Sequence, residues 1–281
     1  MALTVGVPAE TKAGETRVAL VPEVAGQLIE KHGVEVLVES GAGRHAFHAD
    51  ADYEAKGARV VGRGEALGAQ VVLFVQPPTE ADVQQFREGQ VVIGFLSPLD
   101  APELARQLAE RGVTALSMEL VPRISRAQKM DALSAMGAIG GYRAVLTAAR
   151  ALPRFFPLLT TAAGTIKPAN VLVLGAGVAG LQAIATAKRL GARVAGYDIR
   201  PAVKEEVESL GAGFLVLGVE DESAQTEGGY ARELEKEKAE RQPELLAPHI
   251  GRADVVISTA LIPGRPAPLL INEDAVRGMA P

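Results

Sequence analysis

The chain has 281 residues, 48% of them hydrophobic and 22% charged, with a formal net charge of −5. That length and apolar content allow a sizeable core and two domains, while the acidic balance argues against a nucleic-acid partner, which requires clustered Lys and Arg. Cysteine is absent, which excludes disulfides, thiolate nucleophiles, iron–sulfur clusters and Cys-based zinc sites.

The opening Met-Ala-Leu-Thr-Val-Gly-Val-Pro leads straight into a strand. It lacks the basic region and apolar stretch of a secretory signal, and no apolar run approaches the ~20 residues that span a bilayer. The expectation is a soluble, cytoplasmic chain without a transmembrane segment. Strands are predicted at residues 4–7, 34–38, 71–74, 91–95 and 114–117, with helical patterns at 21–31, 81–87 and 103–111. Such alternation implies a mainly parallel sheet covered on both faces. This first domain is assigned to residues 1–122, with Pro122 marking its exit.

Within it, Gly41-Ala42-Gly43-Arg44-His45-Ala46 follows an apolar strand, but Asp50, Asp52 and Glu54 come next rather than an apolar helix. It reads as a plain turn. His45, His48 and Asp50 could be imagined as metal ligands, yet they lie in a short polar turn with no further ligand nearby, so no metal is expected.

Residues 123–152 form the second segment, a polar loop and then an Ala-, Leu- and Met-rich helix over 131–151 that ends at Leu152-Pro153 and reads as a connector. Read alone, its start is an ordinary helix beginning, with Ser125 as cap and charges facing water. Strands are predicted again at 170–174, 193–197, 213–217 and 254–258, in a third segment over 153–281. A long insertion, 218–241, is polar in its first half and Glu/Lys-rich and helical in its second; loops of this length are functional lids or disordered. After the fourth strand another would be expected, so this domain reads as incomplete at its C-terminal end.

The residues richest in meaning lie at the first of these strands. Gly175, Gly177 and Gly180 make a Gly-x-Gly-x-x-Gly directly after the all-apolar 171–174 and open a helix through Val178 and Ala179. That context is what a dinucleotide fingerprint requires. Gly175 permits the turn, Gly177 lets backbone amides approach a pyrophosphate, and Gly180 lets the helix pack close to the strand, so the diphosphate sits on the helix's positive N-terminus. Asp198, 23 positions after Gly175, ends the next strand where a carboxylate accepts ribose hydroxyls and repels a 2′-phosphate, which favours NAD over NADP. Ile199 and Arg200 follow it, and Arg200 leaves that preference open.

Three blocks carry a resemblance. Gly6-Val7-Pro8-Ala9-Glu10-Thr11-Lys12 with Glu15-Thr16-Arg17-Val18-Ala19-Leu20-Val21-Pro22, the glycine fingerprint, and the stretch from Ala253-Asp254 to Pro268 together resemble the superfamily joining alanine dehydrogenase to the NAD(H)-binding component of proton-translocating transhydrogenase. The resemblance covers essentially the whole chain and implies an α/β fold of two doubly wound, mainly parallel-sheet, Rossmann-like domains joined by a long helix.

The branch is decided by two comparisons. Arg123-Ile124-Ser125-Arg126-Ala127-Gln128-Lys129-Met130-Asp131-Ala132-Leu133-Ser134 is similar to the transhydrogenase loop around the nicotinamide. By that resemblance Arg123 and Asp131 bind nicotinamide-side groups, Gln128 places the ring near the partner's nucleotide, and Ser134 bonds the carboxamide or ribose; Arg123, Gln128 and Asp131 are the catalytic candidates. Gly229 and Tyr230 are then a mobile cover, and Leu261, in Leu261-Ile262-Pro263-Gly264, walls the nicotinamide side. Conversely, an amino-acid dehydrogenase needs a Lys or His to move a proton. The alanine dehydrogenase positions for these correspond here to Gln76 and Ser97, neither of which titrates near neutrality. Arg17 could grip a carboxylate, but without that pair it reads as an ion-pairing residue.

Hydride transfer between two nicotinamides needs no general acid, metal or covalent intermediate, only stacked rings with reacting carbons roughly 3 to 3.5 Å apart in a dry site. The resemblance therefore implies the NAD(H)-binding component of a Re/Si-specific, proton-translocating NAD(P)+ transhydrogenase, active only with its partners. NADP(H) is then held by a separate subunit, proton conduction belongs to a membrane-embedded subunit, and this chain is a homodimer at the inner face of the cell membrane. The alternatives are an alanine-dehydrogenase-like amino-acid oxidoreductase and a non-catalytic NAD-sensing module.

Overall fold

The computed structural model describes residues 2–221, 236–262 and 264–280. The chain divides into two compact units, Met1–Val121 and Pro122–Pro281.

In the first unit, β1 (Thr4–Val7) leads through α1 (Pro22–His32) to β2 (Glu35–Glu39), then α2 (Asp50–Glu54), β3 (Arg59–Val61), α3 (Arg63–Leu67) and β4 (Val71–Leu73). α4 (Glu80–Val83), β5 (Val91–Gly94), α5 (Pro102–Glu110) and β6 (Thr114–Ser117) complete it. The strands lie in the order β3-β2-β1-β4-β5-β6, and all five ladders are parallel. That is the doubly wound order, with its reversal between β1 and β4. α1 shows the local logic. Pro22 stands in the first turn, where no N–H is needed, and Gly33 (φ 63°) ends the helix in the left-handed conformation by donating its N–H to the Ile29 carbonyl. Two apolar layers cover the sheet, one around Val5, Val7, Val36, Val38 and Tyr53, the other around Leu37, Leu67, Val72, Val92 and Leu108. Each fully buried Val or Leu contributes about 1.5–3 kcal/mol.

The second unit begins with α6 (Ala132–Ala151) and an antiparallel hairpin, β7 (Leu159–Thr161) and β8 (Gly164–Ile166). β9 (Asn170–Leu174), α7 (Val178–Arg189), β10 (Arg193–Tyr197), α8 (Lys204–Ser209), β11 (Gly213–Phe214), α9 (Lys236–Ile250), β12 (Val255–Ser258) and α10 (Glu273–Arg277) follow. The described strands of its main sheet run β11-β10-β9-β12, all parallel. Alternation along β9 separates its faces. Val171 and Val173 point into the layer with Val145 of α6 and Ala183, Ile184 and Ala187 of α7, while Leu172 and Leu174 join Tyr197, Leu246 and Ile250.

Several elements differ from expectation. β3 is absent from the predicted strands, because three residues with an exposed Arg59 show no alternation to read. The hairpin β7–β8 is absent too; its residues are almost all exposed, so burial leaves no pattern in them. The helix predicted over 81–87 stops after one turn, closed at its start by Thr79, which accepts from the Asp82 N–H. The helix of the 218–241 insertion instead runs from Lys236 to Ile250 with Pro243 and Pro248 inside it, a course that proline rules argue against. The helix expected as a connector belongs to the second unit and packs along α7. There, a Cβ on Gly141 would lie 2.0 Å from the Ala179 carbonyl oxygen, so only glycine allows the two helices this approach.

Candidate functional site

A cavity of about 940 Å³ opens at the carboxyl ends of β9, β10 and β12 in the second unit, where doubly wound sheets bind ligands. The glycine turn forms one wall. Gly175 has φ 92°, a left-handed conformation reserved for glycine, and its N–H donates to the Tyr197 carbonyl at 2.8 Å. A Cβ on Gly180 would sit 1.8 Å from the Gly175 carbonyl oxygen, whereas one on Gly177 would meet nothing within 4 Å. Gly180 is therefore a packing glycine and Gly177 keeps the approach to α7 open. Gly177 is the N-cap residue of α7, so the helix's first amides and positive dipole end face the cavity. Thr259, just beyond β12, donates its hydroxyl to the Gly175 carbonyl at 2.9 Å and fixes the turn from the neighbouring strand.

Asp198 follows β10 and is 5% exposed. Its Oδ2 accepts from the Ala176 N–H at 2.7 Å and from Arg200 Nη2 at 2.9 Å; its Oδ1 accepts from the Arg200 N–H at 3.0 Å and Arg200 Nε at 2.8 Å. Two bonds on each oxygen use the full acceptor capacity of a carboxylate.

Arg123, Asp131 and Ser134 come together at the start of α6. Arg123 Nη2 donates to Ser134 Oγ at 2.7 Å, and Ser134 Oγ to Asp131 Oδ2 at 2.6 Å; Arg123 Nε lies 3.5 Å from the same Oδ2. Asp131 is the N-cap of α6, accepting from the Ser134 N–H at 2.9 Å. Residues 125–130 form a separate 3-10 stretch, so the alternative with Ser125 as cap does not hold, and the long helix runs over Ala132–Ala151, close to the expected 131–151. Burial pushes the Asp131 carboxyl up, but the Ser134 bonds and the Arg123 charge outweigh it and hold it below the usual carboxylate range.

The cavity wall includes Arg123, Ser134, Gly175, Gly177, Val178 and Ala179, and also Asp198, Ile199, Arg200 and Leu261. Gln128 is not brought to it. That residue is exposed on the 3-10 stretch. Asp131 stands behind Ser134 rather than on the wall, and Gly180 is buried in the turn. Gly229, Tyr230 and Pro263 lie outside the described residues. Thr259, Tyr197 and Gln242 also line the cavity and are not singled out by the sequence. The position of Thr259 after a parallel strand is a usable signal; the other two have none.

The first unit holds the groups relevant to the amino-acid alternative. Glu15 grips Arg17 through Nε to Oε1 at 2.8 Å and Nη2 to Oε2 at 2.6 Å, and Gln76 Nε2 donates to Glu15 Oε2 at 2.6 Å. The Arg17 bond pulls the Glu15 carboxyl down to about 2 against the opposing effect of burial. Ser97 has φ 49° and gives its backbone N–H to the Glu119 carboxylate. Arg17 is thus ion-paired, and Gln76 is occupied in supporting that pair.

Comparison with known proteins agrees with this geometry. The family model for the alanine dehydrogenase/PNT N-terminal domain matches residues 6–140, and that for the C-terminal domain matches residues 144–281. The chain belongs to the alanine dehydrogenase/PNT family. It is 46% identical over 280 aligned positions to the NAD(P) transhydrogenase subunit alpha of Cereibacter sphaeroides, covering 99% of this chain and 53% of that one. Identity to the alanine dehydrogenase of Mycobacterium tuberculosis is 31%, covering 99% and 70%. The crystal structure of transhydrogenase from Sinorhizobium meliloti superposes with a TM-score of 0.86 at 42% identity, over 99% of this chain and 76% of that one. Within the family, the chain is therefore more similar to the transhydrogenase subunits than to the amino-acid dehydrogenase.

Proposed function

We propose that this chain binds NAD(H) in the cavity of its second unit and serves as the NAD(H)-binding component of a proton-translocating transhydrogenase. The observation that carries the reading is that an open glycine turn at the N-terminus of α7 and the pair Arg123 and Ser134, held by Asp131, lie on one cavity. The fit is physical. Gly177 leaves the helix amides accessible to a pyrophosphate, and 940 Å³ lies at the upper end of the range for small-molecule sites.

The dinucleotide, when bound, supplies the hydride. This chain's own residues anchor and orient it. The α7 amides hold the diphosphate, Arg123 and Ser134 present donors on the α6 side, and Asp131 keeps Arg123 and Ser134 in place. Among the described residues lining the cavity there is no Lys or His, and burial pushes the Tyr197 hydroxyl up to about 12. A wall without Lys or His suits direct hydride exchange better than reductive amination.

The acceptor is then NADP+ on a partner subunit, the transfer is Re/Si-specific, and proton movement is carried by a membrane-embedded partner. No described helix is long and apolar enough to cross a membrane, which suits attachment to the inner face of the membrane through those partners. The chain would act as a homodimer. The deciding experiment is rapid mixing of this chain and NADH with an NADP+-loaded partner subunit. Hydride exchange is expected only when both proteins are present. Turnover of alanine by this chain alone would replace the proposal with the dehydrogenase reading, and NADH binding without exchange would make it a sensor.

A further inference from the structure

We propose that Phe47 anchors a protein partner, its ring seated in an apolar slot with acidic groups at the rim, on the subunit that carries NADP(H). The proposal rests on the transhydrogenase reading above and assigns one point of the contact which that reading requires.

The turn after β2 passes through a single 3-10 turn, Arg44–Ala46, and reaches Phe47 with φ 63° and ψ 31°, the left-handed conformation. Among the described residues only Phe47 and Ser97 adopt a positive φ without being glycine. A bulky residue in that region is strained, and the conformation persists only where the surroundings impose it. Here they do. The Phe47 N–H donates to the Arg44 carbonyl at 3.2 Å, and the Gly43 carbonyl accepts from the Ala46 and His48 N–H groups at 2.9 and 3.0 Å. Asp50 accepts from the Gly41 N–H at 2.8 Å and from the Ser40 hydroxyl at 2.7 Å. The His48 ring meets Tyr53 edge-on with centroids 6.4 Å apart, and Tyr53 is buried with its hydroxyl on the Leu20 carbonyl at 2.8 Å. The tip is fixed from both sides.

That strain presents a side chain which adds nothing to the core. Phe47 is 97% exposed, more than any other large apolar side chain among the described residues, and neither of their ring pairs includes it. A ring held rigidly in water gains no burial energy in the free chain, but it loses little freedom on docking, which is the property of an interface anchor. Arg44 and His45 stand exposed beside it and make no side-chain hydrogen bond or salt bridge among the described residues. Asp50, the acid that feels the Arg44 charge, is already committed to Gly41 and Ser40. An aromatic flanked by donors matches an apolar slot rimmed by carboxylates, and aromatic residues and Arg are the types enriched at protein interfaces. An anionic membrane surface matches less well, because Asp52 and Glu54 are exposed on the helix that follows and would be repelled by it. The turn stands at the carboxyl end of β2, the end of a doubly wound sheet that carries function. Hydride exchange requires the NADP(H)-carrying subunit to be seated on this chain, and this requirement names the occupant.

The test follows the exchange rate of the whole chain and NADH as the concentration of NADP+-loaded partner subunit is raised. Phe47→Gly and Phe47→Asn both tolerate the left-handed backbone, so neither should lower the urea midpoint. Each should raise the half-saturating partner concentration about tenfold or more, as loss of an aromatic anchor does, while the rate at saturating partner and the NADH affinity stay within about twofold. Phe47→Tyr should restore the original half-saturation. An unmoved half-saturating concentration in Phe47→Gly overturns the proposal. So does a Phe47→Gly chain that exchanges normally but loses binding to phosphatidylserine vesicles, or one whose only change is its oligomeric mass; those results would give the turn to the membrane or to a second copy. Absence of exchange by the unmodified chain at any partner concentration would overturn the functional reading, and the proposal with it.

Discussion

Arg200 clasps the carboxylate of Asp198 side-on, Nε to Oδ1 at 2.8 Å and Nη2 to Oδ2 at 2.9 Å, with both side chains buried. Parallel bonds of this kind are among the stronger ion-pair geometries. A ribose hydroxyl seeking Asp198 therefore competes with Arg200, and the same guanidinium is the group suited to a 2′-phosphate. In the NAD(H) reading proposed for this cavity, nucleotide choice at this position depends on which partner Arg200 keeps.

Asp198→Ala should accordingly do two things. NADH affinity should fall about tenfold or more, corresponding to about 1.4 kcal/mol, and NADPH should lose less because Arg200 is released. Fluorescence titration with both nucleotides checks this. An unchanged ratio of the two affinities would refute the arrangement.

Gly180→Ala places a methyl group within 1.8 Å of the Gly175 carbonyl oxygen. The backbone must move, at a cost of about 1–3 kcal/mol for overpacking, and the turn moves with it. Urea denaturation should show the lost stability and titration a weaker NADH complex. Gly177→Ala, with open space around its Cβ, should leave stability nearly unchanged while weakening NADH binding.

Gln128 is exposed and off the cavity wall, so its proposed role belongs to the complex with the partner. Gln128→Asn should slow hydride exchange by tenfold or more while leaving NADH affinity within about threefold. Stopped-flow exchange and equilibrium titration of the same preparation separate the two. Equal losses would count against a ring-placing role.

The Glu15–Arg17 pair predicts a pH dependence. Because the folded-state carboxyl is depressed to about 2 from 4.5, its contribution to stability is complete above the unfolded value and disappears as pH falls through the folded one. Carbon NMR of the Glu15 carboxyl should show a midpoint near 2, and Arg17→Met should return it toward 4.5. A midpoint near 4.5 in the unmodified chain would mean the pair is absent in solution.

The elements legible in the sequence are those set by local chemistry. The glycine turn, the apolar β9 and the acid after β10 lie within thirty residues, and each glycine has a separate steric reason to be there. β3 and the hairpin are illegible because solvent imposes no pattern on short exposed strands. The long helix is legible from its Ala-, Leu- and Met-rich run, but Ser125 and Asp131 are both good caps, and only the fold decides that the continuing turn starts at Asp131. The lock on Asp198 is half visible as a neighbouring arginine. The Tyr197–Gln242 bond joins residues 45 positions apart, and no local rule connects them.

The glycine at position 141 has a mechanical effect reaching both ends of its helix. Because α6 lies against the α7 backbone with no side chain between them there, the helix that begins at Ala132 is held close to the glycine turn that opens α7. Repositioning a bound nicotinamide by sliding these helices would require separating main chains already in van der Waals contact. In the NAD(H) reading proposed above, that close packing leaves side-chain rotation as the less costly way to adjust a bound nicotinamide.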